Sequence, residues 1–402
     1  MKSELKMNVP KGFLFAAGNA GLRKHGQGPD VALMYSTVPA RAAAVFTTNR
    51  VKAAPVLLSQ ARLKRGAHLA QAILVNAGNA NCATGSQGMK TARQTTRVAA
   101  SLLKVGVDST LVASTGVIGV PLDATKITDQ LPSLIRQLHP DGYAAVSRAI
   151  MTTDTVPKLS SRVVRISGRA VTLLAFCKGA GMIYPRLATM LGFFFTDALV
   201  EPRFLQRAVK RMADLSFNRI SVDGDTSTND TVFLLANGLA KNRAIREGGP
   251  GAKEFFSALL ELAQELAIRM VRDGEGARKV AEIRVEGARN VKQAEAIARA
   301  IALSPLVKTA LAGADPNWGR ILSAAGNAGV ELHPAKVDIY LNRMRVCRSG
   351  GAADFNEAAA SKLLQAKDVL IRVVIGTGKA AARFWTCDFT DEYIRINASY
   401  RT

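Results

Sequence analysis

Residues 178–195 read KGAGMIYPRLATMLGFFF. The stretch begins with two closely spaced glycines, which favour tight turns and close approach of the backbone. An apolar run from Met190 to Phe195 follows, and it predicts a buried strand. Taken alone, this pattern indicates a core strand that the chain enters from a loop.

Further strands are predicted on both sides of this stretch. Arg162–Ile166 and Val171–Phe176 flank the sequence SGR at 167–169, and this arrangement predicts a β-hairpin. Other short apolar or β-branched runs, bounded by glycine, asparagine or proline, predict single strands. These runs are Val31–Tyr35, Ala72–Val75, Val280–Val285, Val337–Leu341 and Val369–Ile375.

Amphipathic helices lie between the strands. In Pro202–Leu215, apolar residues recur at helical spacing behind a proline that suits the first turn of a helix. Lys253–Arg272 predicts a longer helix that Gly274 ends. Two more helices are predicted at Gly88–Val105 and Val291–Leu303. Because helices and strands are mixed along the chain, with no internal repeat or linker, the sequence predicts a layered α/β fold.

The composition is that of a globular protein except for its charge. Apolar residues make up 48% of the 402 residues, but 54 Lys and Arg outnumber 31 Asp and Glu, which gives a net charge of +23. The basic residues are scattered, and no aromatic residues are interleaved with them as platforms for stacked bases. We therefore expect no nucleic-acid partner. An acidic substrate or the habitat of the host cell would account for the charge equally well.

The cysteine and histidine residues show no metal-binding spacing. Cys82, Cys177, Cys347 and Cys387 form no CxxC motif, and the four histidines lie far apart. The sequence therefore predicts no metal site and free thiols, as in a reducing cytoplasm. The N-terminus lacks the apolar segment of a signal peptide, and no apolar run reaches 18 residues, so we expect a cytoplasmic protein without a membrane partner.

Common catalytic motifs are absent from the sequence. There is no Walker loop, no GxGxxG after a strand, no HExxH and no GxSxG, and the scarcity of histidine argues against a Ser-His-Asp triad. The general base must then be another group, and an α-amino group, with a pKa of about 7.7–8, suits neutral pH. A threonine made N-terminal by cleavage carries such a base beside its own hydroxyl.

Four segments are dense in small polar residues. They are 76–81, 114–119, 151–155 and 223–230. Each could be a set of turns held by side-chain hydrogen bonds, and we prefer that interpretation for 223–230. A metal site at Asp223, Asp225 and Asp230 is the alternative, but their spacing does not match an EF-hand.

Residues 178–191 resemble the cleavage region of the glutamate N-acetyltransferase / ornithine acetyltransferase family. The resemblance extends over essentially the whole chain, and its motifs occur in the same order. They are PKGF at 10–13, FTTNRVKAAPV at 46–56, VNAGNAN at 75–81, STGVIG at 114–119, MTTDT at 151–155, SFNRISVDGDTSTNDTV at 216–232, DGEGA at 273–277, DPNWGRI at 315–321 and YIRINASYRT at 393–402. By these motifs the chain is identified as a member of that family.

The resemblance implies a layered, self-cleaving α/β fold of the N-terminal-nucleophile type. Cleavage between Ala188 and Thr189 would give two intertwined chains, 1–188 and 189–402, and two such pairs would form a heterotetramer. Thr189 would take the acetyl group from N2-acetyl-L-ornithine and pass it to L-glutamate in a ping-pong cycle. No cofactor is implied. In some members of the family acetyl-CoA also loads the enzyme, and the sequence leaves this second activity open.

The resemblance also implies roles for single residues. The Thr115 hydroxyl and the Gly116 N–H match the family's oxyanion hole. Lys178 would meet a substrate carboxylate, and Glu275 would meet an amino group or assist proton transfer. The residues implied to contact substrate are Thr152, Thr153, Lys178, Thr189, Glu275, Asn397 and Thr402, with the choice between 152 and 153 left open.

Several alternatives stand beside these assignments. Without the resemblance, Lys178 would be a solvated loop lysine, Glu275 would close a helix, and Asn397 and Thr402 would belong to a frayed C-terminus. Two basic residues depart from the family pattern, Arg186 before the cleavage point and Arg278 after Glu275. A self-cleaving amidohydrolase or aminopeptidase is the enzymatic alternative, and a basic binding protein that retains the fold is the non-enzymatic one.

Overall fold

Strands and helices alternate through residues 6–23, 28–184 and 190–399, which are the residues that the computed structural model describes. Ala188, Thr189 and Thr402, for which the sequence predicts functional roles, lie outside these residues, as does Arg186. The strands are β1 (Phe13–Gly18), β2 (Val31–Phe46), β3 (Leu69–Asn76), β4 (Thr110–Ser114), β5 (Lys158–Ile166), β6 (Arg169–Lys178), β7 (Leu191–Thr196), β8 (Ile220–Ser221), β9 (Thr231–Ala236), β10 (Val280–Ala288), β11 (Asp338–Leu341), β12 (Met344–Arg348), β13 (Gly351–Ala352), β14 (Asp368–Val374) and β15 (Ala380–Cys387).

The four predicted amphipathic segments are helical, and the described residues contain further helices that the sequence analysis did not predict. They are α1 (Ala54–Arg65), α2 (Gly85–Leu103), α3 (Ala124–Thr128), α4 (Leu131–Arg136), α5 (Tyr143–Ala149), α6 (Pro202–Asp214), α7 (Ala252–Arg272), α8 (Val291–Leu303), α9 (Pro305–Ala312), α10 (Trp318–Gly326), α11 (Glu357–Leu364) and α12 (Asp391–Ser399). In α6 the residues at helical spacing, from Phe204 to Met212, are buried, and Pro202 occupies the first turn as predicted. Within the described ranges no helix combines the length and the apolarity that crossing a membrane requires.

The described residues form two compact units. The first contains the described residues up to 218 together with 225–267, and the second contains 219–224 and 268–399. The sheet of the first unit has the strand order β4-β3-β2-β9-β7-β6-β5, with β1 paired to β2. The pairs β3–β4 and β7–β9 are parallel, while the other neighbouring pairs are antiparallel.

Strands from both sides of the predicted cleavage point share this sheet. β7 begins two residues after Thr189 and pairs with β6 on one side and with β9 on the other. The predicted strand after the glycine-rich loop is thereby confirmed, and each of its residues is buried. The hairpin of β5 and β6 is confirmed as well. Its turn residues, Ser167 and Gly168, have φ of 49° and 77°, the positive values that a type I′ turn requires.

Aromatic side chains fill the core of the first unit. Phe195 of β7 lies 5.0 Å from Phe13 of β1 and 5.6 Å from Phe176 of β6, measured between ring centroids. Phe193 and Phe233 belong to the same buried cluster. Such tilted and edge-on ring pairs add about 0.5–1.5 kcal/mol each beyond the area that they bury. This core holds β6 and β7 against each other.

The second unit is a separate α/β layer. Its sheet has the order β13-β12-β11-β14-β10-β15-β8, with β10–β14 and β8–β15 parallel. Helix α8 packs its buried face, including Ile297 and Ile301, against this sheet. The side chain of Asn290 caps the helix by accepting from the Gln293 N–H at 2.9 Å. This arrangement confirms the predicted layered α/β fold within each unit.

Candidate active site

Two polar loops leave the same edge of the first sheet. β3 and β4 are parallel, with Asn76 opposite Ser114, so their carboxyl ends lie side by side. The Ser114 hydroxyl donates to Asn76 Oδ1 at 2.6 Å, and the Thr115 N–H donates to the Asn76 carbonyl at 3.0 Å. Thr115 is therefore held at the end of β4, where it is 4% exposed.

Gly116 occupies a position that no other residue fits. Its φ is 127°, a conformation that residues with a side chain rarely adopt. A Cβ atom built there would lie 2.3 Å from the carbonyl carbon of Gly78 and 2.5 Å from the nitrogen of Asn79. The two loops are thus in backbone contact. This contact fixes the direction of the peptide between Thr115 and Gly116.

Asn229, in the polar segment 223–230, links the two loops to that segment. Its side-chain amide donates to the Ala80 carbonyl at 2.7 Å and to the Ser114 carbonyl at 2.8 Å. Asn229 is buried, and its own N–H donates to the hydroxyl of Ser227 at 3.0 Å. The interpretation of 223–230 as a hydrogen-bonded turn network is confirmed for its part from 227 to 230.

Lys178 is a buried residue of the same site. It is the last residue of β6 and only 2% exposed, so the alternative of a solvated loop lysine is wrong. Its Nζ donates a hydrogen bond to Thr115 Oγ1 at 3.3 Å. The structure therefore brings together three residues that the sequence predicts for one site, namely Thr115, Gly116 and Lys178.

A buried carboxylate that sequence analysis did not single out lies beside them. Asp154 Oδ1 accepts from Lys158 Nζ and from the Gly179 N–H, both at 2.7 Å. Its Oδ2 accepts from the Thr152 N–H at 3.0 Å and lies 4.0 Å from Lys178 Nζ. The sequence feature that could have identified this carboxylate is the MTTDT motif, whose Asp154 is followed four residues later by Lys158. The predicted substrate contact at Thr152 is thereby anchored next to Lys178, and Thr153 is half-buried beside it.

The electrostatics of Asp154 follow from this arrangement. Burial by itself raises the pKa of its carboxyl, but Lys178 and Lys158 together with the hydrogen bonds outweigh burial and lower the pKa to about 2. Asp154 is therefore a carboxylate at neutral pH. Its charge stabilises the ammonium forms of two lysines that water does not reach.

Asp230 is a second buried acid, with the opposite behaviour. Its Oδ1 accepts from the N–H of Met190 at 2.8 Å, which ties it to the residue after Thr189. Its Oδ2 is buried and finds no hydrogen-bond partner among the described residues. Burial raises the pKa of Asp230 well above its ordinary value, although the Met190 N–H and the charge of Lys178 act in the other direction.

Two more predicted residues meet in the second unit. The side-chain amide of Asn397 donates to Glu275 Oε2 at 2.8 Å, across 122 positions of sequence. Glu275 is 8% exposed, and Asn397 lies on α12, so the frayed-terminus alternative is wrong for this residue. Gly276 makes the approach close, because a Cβ there would lie 2.5 Å from the nitrogen of Tyr393, in the first turns of α12.

Arg278, one of the two departures from the family pattern, also lies in the second unit. Its N–H donates to Asp388 Oδ1 at 2.8 Å, and its guanidinium lies 3.4 Å from Asp391 at the start of α12. Both side chains of that pair are largely exposed, so solvent screens the interaction.

Metal-binding side chains do not converge in the part of the chain that the structure describes. Across residues 6–23, 28–184 and 190–399, no three residues of the types His, Cys, Asp and Glu form a group that could hold an ion. The four cysteines are buried thiols. Burial raises the pKa of the Cys387 thiol, which further lowers its tendency to ionise.

The sheets of the two units and the helices packed on them define a layered α/β protein, and the buried pair of Lys178 and Thr115 lies at one edge of the first sheet. A model of the ArgJ family matches residues 14–402. The chain belongs to the ArgJ family.

Named relatives agree with this membership over nearly their whole length. The chain is 45% identical to the arginine biosynthesis bifunctional protein ArgJ of Symbiobacterium thermophilum, and the match covers 98% of each. It is also 45% identical to the protein of the same name from Geobacter sulfurreducens, with 98% of this chain and 100% of that protein covered. The crystal structure of the arginine biosynthesis bifunctional protein ArgJ from Bacillus halodurans is 42% identical with a TM-score of 0.52. That match covers 53% of this chain and 100% of the solved chain.

Proposed function

We propose that this chain cleaves itself between Ala188 and Thr189 and then transfers an acetyl group from N2-acetyl-L-ornithine to L-glutamate. The products are L-ornithine and N-acetyl-L-glutamate, and the acetyl group is carried on Thr189 between the two half-reactions. The observation that carries this proposal is the buried hydrogen bond from Lys178 to Thr115, beside a Gly116 that backbone contact holds in place. Family membership over residues 14–402 supports it.

The first half-reaction needs a nucleophile, a base and an oxyanion site. Thr189 Oγ attacks the acetyl carbonyl carbon, and its proton passes to the α-amino group that cleavage has created on the same residue. The oxyanion is stabilised by the Thr115 hydroxyl and the Gly116 N–H. Collapse of the tetrahedral intermediate breaks the C–N bond, and the departing amine of ornithine takes the proton.

The second half-reaction reverses these roles. The α-amino group of glutamate attacks the acetyl ester and loses a proton to the Thr189 amine. The C–O bond then breaks, and the Thr189 hydroxyl is restored. Both substrates carry an α-carboxylate, and the buried ammonium of Lys178 is suited to bind it. Thr152 or Thr153 adds a hydrogen bond. Glu275 and Asn397 bind amino groups, and Thr402 completes the substrate contacts.

The cleavage part of the proposal has its own support. The fragment 189–402 makes up 53% of this chain. The solved chain from Bacillus halodurans is matched completely and corresponds to the same share of this chain. Because β7 and β9 pair with strands of the other fragment, 1–188 and 189–402 would stay associated after cleavage.

Three further features belong to the same proposal. The relatives are named bifunctional proteins, which favours a second activity, and we take acetyl-CoA as the second acetyl donor. No cofactor or metal takes part. Two pairs of fragments associate as a heterotetramer in the cytoplasm.

Intact mass under denaturing conditions tests the proposal directly. The wild type should give two fragments, one ending at Ala188 and one beginning at Thr189, whereas Thr189→Ala should give a single chain of 42.8 kDa. Incubation with N2-acetyl-L-ornithine should then add one acetyl group to the C-terminal fragment only.

Other outcomes would overturn the proposal in distinguishable ways. A wild-type chain that stays whole would rule out the N-terminal nucleophile. An acetylated fragment that releases acetate to water at the same rate with and without glutamate would indicate an amidohydrolase instead. A salt-dependent shift on nucleic acid without turnover of N2-acetyl-L-ornithine would favour a binding protein.

A further inference from the structure

We propose that Asp154 is a positioning residue for the two parts of the site that meet the substrate carboxylate, the ammonium of Lys178 and the threonine segment 152–153. The inference rests on the proposed function, because it assumes that Lys178 binds a carboxylate. It adds a residue to that site and makes the recognition of the carboxylate depend on a buried charge.

The geometry places Asp154 between two parts of the site. The residues before β5 carry Asp154, and the end of β6 carries Lys178. In the register of these strands Lys158 pairs with Cys177, so Lys158 and Lys178 stand at the same end of the hairpin. Asp154 accepts hydrogen bonds from both segments, through Lys158 Nζ and through the Gly179 N–H. It therefore closes this end of the hairpin.

The two lysines relate to Asp154 differently. Lys158 Nζ makes a 2.7 Å contact with Oδ1, whereas Lys178 Nζ lies 4.0 Å from Oδ2. At 4.0 Å the carboxylate attracts the Lys178 ammonium without a short hydrogen bond. Asp154 thus attracts the Lys178 ammonium from a distance, while the direct contact of the carboxylate is made with Lys158.

The same carboxylate also orients the threonine segment. Asp154 Oδ2 accepts from the Thr152 N–H at 3.0 Å, which holds the backbone two residues earlier in the chain. One buried group therefore determines both the charge and the hydrogen-bonding segment that the substrate carboxylate would meet. Loss of the charge would disturb both of them together.

The test compares two acetyl donors on the purified, self-cleaved enzyme. N2-acetyl-L-ornithine carries the carboxylate, and its carboxamide lacks that charge but keeps the acetyl group and the side-chain amine. The ratio of the two kcat/KM values measures recognition of the carboxylate. Asp154→Asn should lower this ratio by about tenfold or more, the loss expected for a hydrogen bond to a charged group. A merely unstable variant would lower both kcat/KM values alike and leave the ratio unchanged.

Asp197→Asn is the matched control. Asp197 is a buried aspartate of the same unit, and it also accepts from backbone N–H groups, those of Thr172 at 2.8 Å and Lys11 at 3.2 Å. Thr172 lies six positions before Lys178 on β6, about 20 Å away along an extended strand. The variant should keep the wild-type ratio.

Two further variants keep the result decisive. Lys158→Met removes the nearer cation, so Asp154 should draw Lys178 towards itself and the ratio should again fall, even if Asp154→Asn does not fold. The inference is wrong if a folded Asp154→Asn or Lys158→Met variant keeps the wild-type ratio while Lys178→Met lowers it. A Lys178→Met enzyme that keeps the ratio would instead refute the assumed role of Lys178 in the proposed function.

Discussion

The ammonium nitrogen of Lys178 lies 3.3 Å from the hydroxyl oxygen of Thr115. A lysine side chain can only donate, so the threonine oxygen is the acceptor in this contact. The hydroxyl hydrogen of Thr115 then remains to be donated elsewhere, and the neighbouring positive charge makes it a stronger donor. This is the arrangement that an oxyanion site needs.

Removing that hydroxyl should slow the chemistry more than it weakens binding. Thr115→Val keeps the shape of the side chain but deletes the donor. We expect kcat for acetyl transfer to fall about 100–1000-fold with little change in KM, the loss typical of one oxyanion-site donor. Steady-state kinetics on the cleaved fraction measures this effect. Thr110→Val is the matched control, because Thr110 is a buried threonine at the start of β4, the strand that Thr115 follows, and it should keep the wild-type kcat. Equal losses in the two variants would contradict the role.

Gly116 should tolerate no side chain. Gly116→Ala forces a Cβ against the backbone of Gly78 and Asn79, and we expect it to abolish acetyl transfer and to lower the melting temperature. Gly119→Ala tests the effect of backbone strain without steric overlap. Gly119 has a φ of 80°, but no atom lies within 4 Å of a Cβ built there. That variant should lose only about 1–2 kcal/mol and remain active. Melting temperature and acetyl-transfer activity are measured for both variants. Similar losses in Gly116→Ala and Gly119→Ala would refute the argument that a Cβ at position 116 overlaps the backbone.

The sequence predicts the elements of the fold better than their extent. Helix α8 is predicted with both ends correct, because a cap residue and a polar end mark its limits. Strand β2 continues through Phe46, beyond the predicted end at Tyr35. Its second half contains Pro39 and four alanines, and alanine carries no strand preference of its own. Pairing with β9 supplies the missing hydrogen bonds, which only the tertiary fold can provide.

The site was predictable in its parts but not in its connections. Each polar loop is visible in the sequence, whereas the link that Asn229 makes between two of them depends on strand order. Asp154 and Lys158 are four residues apart, a spacing that would suit an exposed pair on a helix. Their burial follows from the register of β5 on β6. The family resemblance supplied Glu275 and Asn397 separately, and the structure supplies their contact.

Glu275 should discriminate between donors with and without a side-chain amine. Glu275→Gln keeps the size of the side chain but removes the negative charge that would bind the ammonium of N2-acetyl-L-ornithine. We expect kcat/KM for N2-acetyl-L-ornithine to fall roughly 10–150-fold, while kcat/KM for N2-acetyl-L-norvaline, which lacks the amine, stays nearly constant. Glu286→Gln, which removes a partly exposed partner of Arg372, serves as control. A parallel loss for both donors would indicate that Glu275 acts in proton transfer or in folding.

Asp230 should make the folded protein less stable as the pH rises. Burial raises the pKa of its carboxyl in the folded state, whereas the unfolded value is about 3.9. Between these two values the folded state binds more protons than the unfolded state, so stability falls with increasing pH. Asp230→Asn removes this titration and retains an oxygen for the Met190 N–H. Its advantage over the parent should therefore grow by up to about 1.4 kcal/mol per pH unit as the pH rises from 5 towards the folded pKa.

Urea denaturation at pH 5–8 measures this difference, with Thr189→Ala as the parent so that a single uncleaved chain unfolds. Asp154→Asn in the same parent provides a control of opposite sign. The pKa of Asp154 is lowered to about 2, so its carboxylate stabilises the folded state above about pH 4 and loses that effect as the pH falls towards 2. The effect of Asp154→Asn on stability should therefore be constant between pH 5 and 8. If the effect of Asp230→Asn is equally constant there, the folded state binds no more protons at Asp230 than the unfolded state does, and burial of Asp230 as a neutral acid is ruled out.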